Sequence, residues 1–107
     1  MEKIIEEYFE AFVKKDLRKL SELYDDDIQL SEWDENIFVG KEAVLKANEE
    51  LFNKFKDIGV VVKARASQNN RSLNEIVVHL DDVEVKVVDS IKVVNDKIVY
   101  IMAYRGF

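Results

Sequence analysis

Residues 83–94 read VEVKVVDSIKVV, and their alternation is the clearest structural pattern in the chain. Side chains alternate between the two faces of a strand, so the pattern predicts a strand with one apolar, buried face. That face carries Val83, Val85, Val87, Asp89, Ile91 and Val93. Asp89 therefore lies in a buried row, where a lone carboxylate is costly unless it is hydrogen-bonded, paired or neutral.

Further strands surround this one. From Ile58 onward the chain is rich in β-branched residues, which predicts strands at about 58–67, 74–81, 83–94 and 97–105. The short breaks at 81–82 and 95–96 are typical of tight turns, so the last three strands should form a meander of hairpins. Residues 68–72 are polar and predict a longer loop.

Three helices come before these strands. Apolar residues at three- and four-residue spacings predict a first helix over 3–15, a short second helix over 17–24 capped by Asp16, and a third helix over 41–55. Residues 28–32 alternate as a short strand does, and a polar loop follows them. Helices followed by strands indicate an α+β domain with the helices packed on one face of the sheet.

Composition narrows the class of protein. A chain of 107 residues has the size of one domain, so we expect residues 1–107 to form one. The chain has no cysteine, which excludes disulfides and thiolate metal sites. Its net charge of −6 argues against nucleic acid as a partner. No apolar run reaches signal-peptide or membrane-span length, so we expect no membrane partner and a cytoplasmic location.

Two more polar groups accompany Asp89 on apolar faces. Glu32 shares a face with the apolar residues of the strand 28–32, and Tyr8 lies within the apolar stripe of the first helix. Each has a simple structural explanation: Asp89 could bind a backbone amide or Arg105, Glu32 could lie in solvent, and Tyr8 could be plain core. Three such groups from separate elements favour a polar-lined cavity, because polar groups converge in binding pockets.

No other residues predict a separate site. The run Asp25–Asp27 lacks the ligand spacing of a calcium loop, and His79 is a single histidine without a ligand partner. We therefore expect neither a metal nor a cofactor.

The segments YFEAF at 8–12, DLRKLSELY at 16–24 and GKEAV at 40–44 resemble the SnoaL-like branch of the nuclear transport factor-like superfamily. The segments VDSI at 88–91 and KIV at 97–99 match its last two strands. The resemblance covers essentially the whole chain. It implies three N-terminal helices packed in a cone against a strongly curved, mixed but mainly antiparallel sheet of the cystatin-like type. The family includes isomerases, cyclases, dehydratases, hydrolases and non-catalytic modules.

Ketosteroid isomerase, a member of this superfamily, provides the site that the resemblance implies. Its oxyanion hole consists of a tyrosine and a protonated aspartic acid, and a second carboxylate moves the proton. By resemblance these roles fall on Tyr8, Asp89 and Glu32. The base position holds Glu rather than Asp here, and the loop to Gly40 is one residue shorter, so Asp34 is the alternative base.

Two functions remain open. The first is a cofactor-independent enzyme of isomerase, cyclase or dehydratase type that acts on a small hydrophobic molecule. The second is a non-catalytic ligand-binding or dimerisation module, which a cavity filled by Trp33, Phe38 or Phe107 would favour. The residues expected to line the pocket are Phe12, Trp33, Phe52, Phe55, Ile91, Ile101, Ala103 and Arg105.

The final strand predicts a partner as well, because residues 98–104 are apolar at both parities. One row should face the pocket, and the other would form a patch that monomers rarely expose. We assign the small residues Val99, Ile101 and Ala103 to the pocket. The outer row is then Ile98, Tyr100, Met102 and Tyr104, and we expect a homodimer through this outer face of the sheet.

Overall fold

The computed structural model describes residues 1–106, which form three helices and one six-stranded sheet. The helices are α1 (Glu2–Val13), α2 (Leu17–Leu23) and α3 (Lys41–Lys54), and the strands are β1 (Tyr24–Ser31), β2 (Ile37–Val39), β3 (Ile58–Gln68), β4 (Arg71–Leu80), β5 (Val83–Val94) and β6 (Lys97–Arg105). The strand order is β2-β1-β6-β5-β4-β3, so β2 and β3 are the edges of the described sheet, which does not close. Among the described strands, only β1 and β6 pair in parallel. The predicted α+β class and the mixed, mainly antiparallel sheet are confirmed.

A side-chain cap sets the start of α2, and strand pairing sets its end. Asp16 caps α2 as predicted, since its side chain accepts a hydrogen bond from the Lys19 amide at 3.0 Å. The helix ends at Leu23, because Tyr24 adopts an extended backbone and pairs with Ile98 of β6. Strand β1 thus begins four residues before the predicted strand and includes the run Asp25–Asp27. Within residues 1–106, no helix is long and apolar enough to cross a membrane.

Two features of the sheet differ from the prediction. Strand β2 was not expected, since its three residues become a strand only by pairing with the end of β1. The predicted loop at 68–72 is a two-residue turn instead, with Gln68 paired to Arg71. Asn69 adopts a φ of 56° in this turn, and asparagine tolerates that left-handed conformation better than most residues. The polar residues do form a turn, but the turn is shorter than the predicted loop.

The helices cover the concave face of the sheet and bury the core against it. Helix α1 contacts β3, and α3 contacts β1 and β2. A register shift interrupts the alternation of β6: Val93 pairs with Ile98, whereas Lys92 pairs with Tyr100. The placement of Ile98 on the outer face was therefore wrong, because the shift turns this side chain inward, where it is fully buried.

Candidate functional site

A cavity of about 480 Å³ lies between the helices and the concave face of the sheet. Its most exposed lining residues are Trp33, Asp34 and Asn36 in the β1–β2 turn, together with Glu50 and Lys54 on α3. The mouth of the cavity therefore lies between this turn and the C-terminal half of α3. The volume falls within the roughly 300–1,000 Å³ typical of small-molecule pockets.

The structure brings the three predicted polar residues to this one cavity. Tyr8 comes from α1, Glu32 follows β1, and Asp89 comes from β5. Tyr8 and Asp89 are buried, whereas Glu32 is half-buried. Asp34, the alternative base, also lines the cavity, but it is exposed near the mouth.

The apolar lining agrees with the sequence in part: Phe12, Trp33, Ile101 and Ala103 line the cavity, whereas Phe52, Phe55, Ile91 and Arg105 do not. Phe52 lies one layer behind, since its ring packs edge-on against Phe12 with centroids 5.3 Å apart. Phe55 is the C-cap of α3, where the chain leaves the helix in an extended conformation. Helical spacing alone does not separate the residues that line a cavity from those packed behind them.

Ile91 and Arg105 do not line the cavity, and the reasons differ. Asp89 is the last residue along β5 that lines the cavity, and Ile91, two residues further on, is fully buried in the core. Arg105 is exposed, and its guanidinium carbon lies 5.8 Å from the centre of the Trp33 ring. Trp33 and Phe38 are part of the lining, and Phe107 lies outside the described residues.

Asp89 has no compensating partner within residues 1–106. Its cross-strand neighbour Asn74 accepts a hydrogen bond from Arg65 Nε at 2.6 Å and donates one to Ser72 Oγ at 3.0 Å. In the described chain, every fully buried side-chain nitrogen or oxygen has a hydrogen-bond partner. Because the Asp89 carboxyl makes no such bond, it is not fully buried and is open to the cavity. Burial raises the pKa of Asp89 to about 7. A carboxyl group that stays protonated near neutrality can donate a hydrogen bond.

Tyr8 also presents an unpartnered polar group to the cavity. Its ring packs against Phe9, Phe12 and Tyr24, with centroids 5.2, 6.2 and 6.4 Å away. Burial raises the pKa of Tyr8 well above 10.0, and nearby Tyr24 and the acids Asp89 and Glu32 raise it further. The phenol therefore stays protonated and acts as a hydrogen-bond donor.

Glu32 occupies the first position after β1. Its backbone amide donates to the Asn36 carbonyl at 2.9 Å, which closes the β1–β2 turn and fixes the start of the side chain. Burial raises the pKa of Glu32 above 4.5, and the neighbouring Asp34 raises it further. A carboxylate with a raised pKa binds a proton more readily, as a general base requires.

Asn48 lines the cavity from α3 and is not among the site residues predicted from the sequence. Its side-chain Oδ1 accepts a hydrogen bond from the Tyr24 hydroxyl at 2.7 Å. The signal was present, because Val44, Asn48 and Phe52 recur every four residues and form one buried row. Only Asn48 in that row is polar.

The remaining charges describe the kind of ligand that the cavity can hold. Glu32, Asp34 and Glu50 supply three carboxylates to the lining, and Lys54 supplies one ammonium group. Such a lining repels anions more than neutral molecules. In the part of the chain that the structure describes, no three His, Asp or Glu side chains lie together so that they could hold a metal ion.

Comparisons with known proteins place this geometry in context. The family model of the SnoaL-like domain matches residues 5–101. No curated protein sequence matches the chain significantly.

Solved structures share the fold at low identity. A proposed SnoaL-like polyketide cyclase from Shewanella denitrificans is 11% identical, with a TM-score of 0.91 over 98% of this chain and 89% of that one. A proposed ketosteroid isomerase from Kribbella flavida is 14% identical, with a TM-score of 0.86 over 97% and 76%. An uncharacterised cystatin-fold protein from Novosphingobium aromaticivorans is 15% identical, with a TM-score of 0.85 over 96% of each chain.

Proposed function

The chain belongs to the SnoaL-like domain family, and we propose that it binds a small, largely apolar carbonyl compound and moves a proton on it. One observation supports this most: Tyr8, Glu32 and Asp89 come from separate elements and line the same cavity. In the described chain every fully buried side-chain nitrogen or oxygen has a hydrogen-bond partner, whereas no hydrogen bond contributes to the pKa of Tyr8 or Asp89, so both groups open to the cavity that they line. A ligand oxygen between these two groups could accept the hydrogen bonds that the phenol and the protonated carboxyl can donate.

The proposed reaction assigns a role to each group. The Tyr8 hydroxyl and the protonated Asp89 carboxyl donate hydrogen bonds to the carbonyl oxygen. Glu32 takes a proton from the neighbouring carbon, the C–H electron pair forms a C=C bond, and the carbonyl electrons move to oxygen. Return of the proton to another atom completes an isomerisation, and attack of the enolate carbon on a second carbonyl would be a cyclisation. A base is typically worth about 10²–10⁴ in rate, and one oxyanion donor about 10²–10³.

The charges of the cavity support a neutral substrate. Among the described residues that line it, Glu32, Asp34 and Glu50 carry carboxyl groups besides Asp89, and only Lys54 carries a positive charge, so an anionic ligand would be repelled. The names of two similar structures, a polyketide cyclase and a ketosteroid isomerase, both refer to ketones, which agrees with the proposal.

Hydrogen exchange on a simple ketone tests the proposal. We expect the protein to bind 1-indanone, seen as a rise in melting temperature, and to speed exchange of its α-hydrogens with D₂O, followed by proton NMR. Indane has the same bicyclic frame without the carbonyl and serves as the control ligand. Binding of 1-indanone without exchange would favour the non-catalytic binding module, and the absence of both would overturn the proposal.

A further inference from the structure

Asn48 is a polar residue in an otherwise apolar row. It is 5% exposed and lies between Val44 and Phe52, at 0% and 6%. Asparagine is a poor residue for a helix interior, and burying its amide is costly unless its donors and acceptor are satisfied. Among the described residues, the oxygen of the Asn48 amide has a hydrogen-bond partner and its nitrogen has none.

Tyr24 fixes the orientation of the Asn48 amide. The Tyr24 side chain is 1% exposed, and its hydroxyl donates to Asn48 Oδ1 at 2.7 Å. Within residues 1–106 this phenol has no other acceptor, so rotating the amide by half a turn would leave a buried phenol hydrogen unpaired. The oxygen of Asn48 is thus held on Tyr24, and the nitrogen points elsewhere.

The nitrogen of Asn48 is directed to the cavity. In the described chain Nδ2 donates to no protein group, whereas every fully buried side-chain nitrogen has a hydrogen-bond partner. Nδ2 is therefore not fully buried, and its two N–H groups reach the cavity that Asn48 lines. The position is close to the proposed reacting groups, because the Tyr24 ring lies 6.4 Å from the Tyr8 ring. Burial raises the pKa of Tyr24, and Asp89 is near enough to raise it further.

We infer that Asn48 is a ligand-binding residue whose Nδ2 donates to a second oxygen of the substrate, with Tyr24 as its positioning residue. The inference rests on the proposed function, in which Tyr8 and Asp89 already occupy the two lone pairs of the reacting carbonyl oxygen. A third donor on a different wall of the cavity then serves another acceptor. The substrate class is accordingly a neutral compound with two oxygen functions, such as a hydroxyketone or a diketone.

A ring scan of ligands tests this assignment. The four hydroxy-1-indanones with the hydroxyl on the aromatic ring place one added oxygen at each available position. We expect at least one of them to bind the wild-type protein about tenfold more tightly than 1-indanone, measured by calorimetry. Asn48→Asp keeps an acceptor for Tyr24 but removes the N–H donors, so the tenfold preference should disappear.

Two further variants separate ligand binding from a structural role. Asn53→Asp is the control, because it makes the same change on α3 at an exposed residue that does not line the cavity, and it should keep the preference. Tyr24→Phe releases the Asn48 amide and should reduce the preference to about threefold, which also tests the inference if Asn48→Asp does not fold.

A failure of the Asn48 assignment can be distinguished from a failure of the proposed function. If 1-indanone binds but none of the hydroxy-1-indanones binds more tightly, or if Asn48→Asp and Asn53→Asp keep the same preference, the role of Asn48 is overturned and the proposed function is untouched. If none of these ketones binds, the proposed function fails and this inference fails with it.

Discussion

Asp89 illustrates how the environment of one residue can set its chemistry. Its neighbours on the same face of β5 are Val87 and Ile91, and cross-strand Asn74 directs its amide to Ser72 rather than to this carboxyl. Nothing in residues 1–106 therefore compensates the desolvation of its charge, and burial alone raises its pKa to about 7. The same burial that makes Asp89 a hydrogen-bond donor makes it a cost to the fold at neutral pH.

The stability of the protein should therefore depend on the protonation of Asp89. Between its ordinary pKa of 3.8 and its folded pKa of about 7, the unfolded chain loses this proton before the native state does. The native state consequently loses stability as pH rises through this window, by at most about 4 kcal/mol at 1.36 kcal/mol per pKa unit. Asp89→Asn cannot titrate, so its unfolding free energy should gain on the wild type from pH 4 to pH 7.

Urea denaturation at several pH values measures this difference. Asp82→Asn is the control, since Asp82 is exposed and should follow the wild-type curve closely. A mutant Asp89→Asn that falls behind the wild type as pH rises would mean that Asp89 is ionised and paired, contrary to the neutral-donor role.

Glu32 should matter for activity more than for folding. The side chain is half-buried and follows the end of β1, so Glu32→Gln should change the unfolding free energy by no more than about 0.5 kcal/mol. Exchange on 1-indanone should fall by about 10²–10⁴, because the amide cannot take the proton. Asp34→Asn decides between the two candidate bases: a larger loss there than in Glu32→Gln would exchange their roles.

At the scale of elements, the site depends on how the chain turns between β1 and α3. The β1–β2 turn carries Glu32, Trp33 and Asp34, and α3 carries Asn48 on the facing wall. Gly40 connects β2 to α3 at a φ of 93°, and its amide donates to the Ile28 carbonyl at 2.7 Å. This hydrogen bond anchors the start of α3 to β1, the strand that leads to Glu32.

Gly40→Ala should destabilise the protein by about 1–3 kcal/mol, because a side chain at this φ strains the backbone. Space is not the limit, since the nearest atom to an added Cβ, the Asp26 carbonyl oxygen, lies 4.0 Å away. Gly59→Ala is the matched control: its added Cβ would meet His79 Cβ at 3.5 Å, an ordinary contact, without positive φ. Equal losses in the two variants, measured by denaturant unfolding, would contradict a backbone cause.

At the scale of the whole molecule, the outer face of the sheet remains the predicted dimer interface. The cross-strand row Leu73, Ser90 and Met102 continues to Ser31 on β1, and Tyr104 lies beside it. Leu73 and Tyr104 are 46% and 53% exposed. Ile98 is excluded from this surface by the register shift in β6, so the expected interface is narrower than the aromatic row suggested.

Light scattering at micromolar concentration tests the homodimer. We expect twice the monomer mass for the wild type and the monomer mass for Leu73→Glu and Tyr104→Glu, because a charge would be buried in the interface. Val83→Glu is the matched control, since Val83 is 56% exposed but belongs to the opposite face of the sheet. A wild-type monomer, or dissociation by Val83→Glu as readily as by the other two, would contradict the interface.

The features that depend on local chemistry were predictable from the sequence alone. The alternation in β5 placed Asp89 on the buried face, the Asp16 cap marked the start of α2, and the bounds of β5 and β6 were correct to the residue. These features could be predicted because backbone geometry fixes the side-chain periods and because capping involves only near neighbours.

The remaining features depend on pairing between distant segments. The early start of β1 at Tyr24, the existence of β2 and the burial of Ile98 follow from strand partners that no local pattern names. The same holds for the site: parity places Asp89 inward, but only the crossing of α3 over β1 brings Asn48 to Tyr24. Local periodicity says which way a side chain points, and the long-range packing of the chain decides what it meets there.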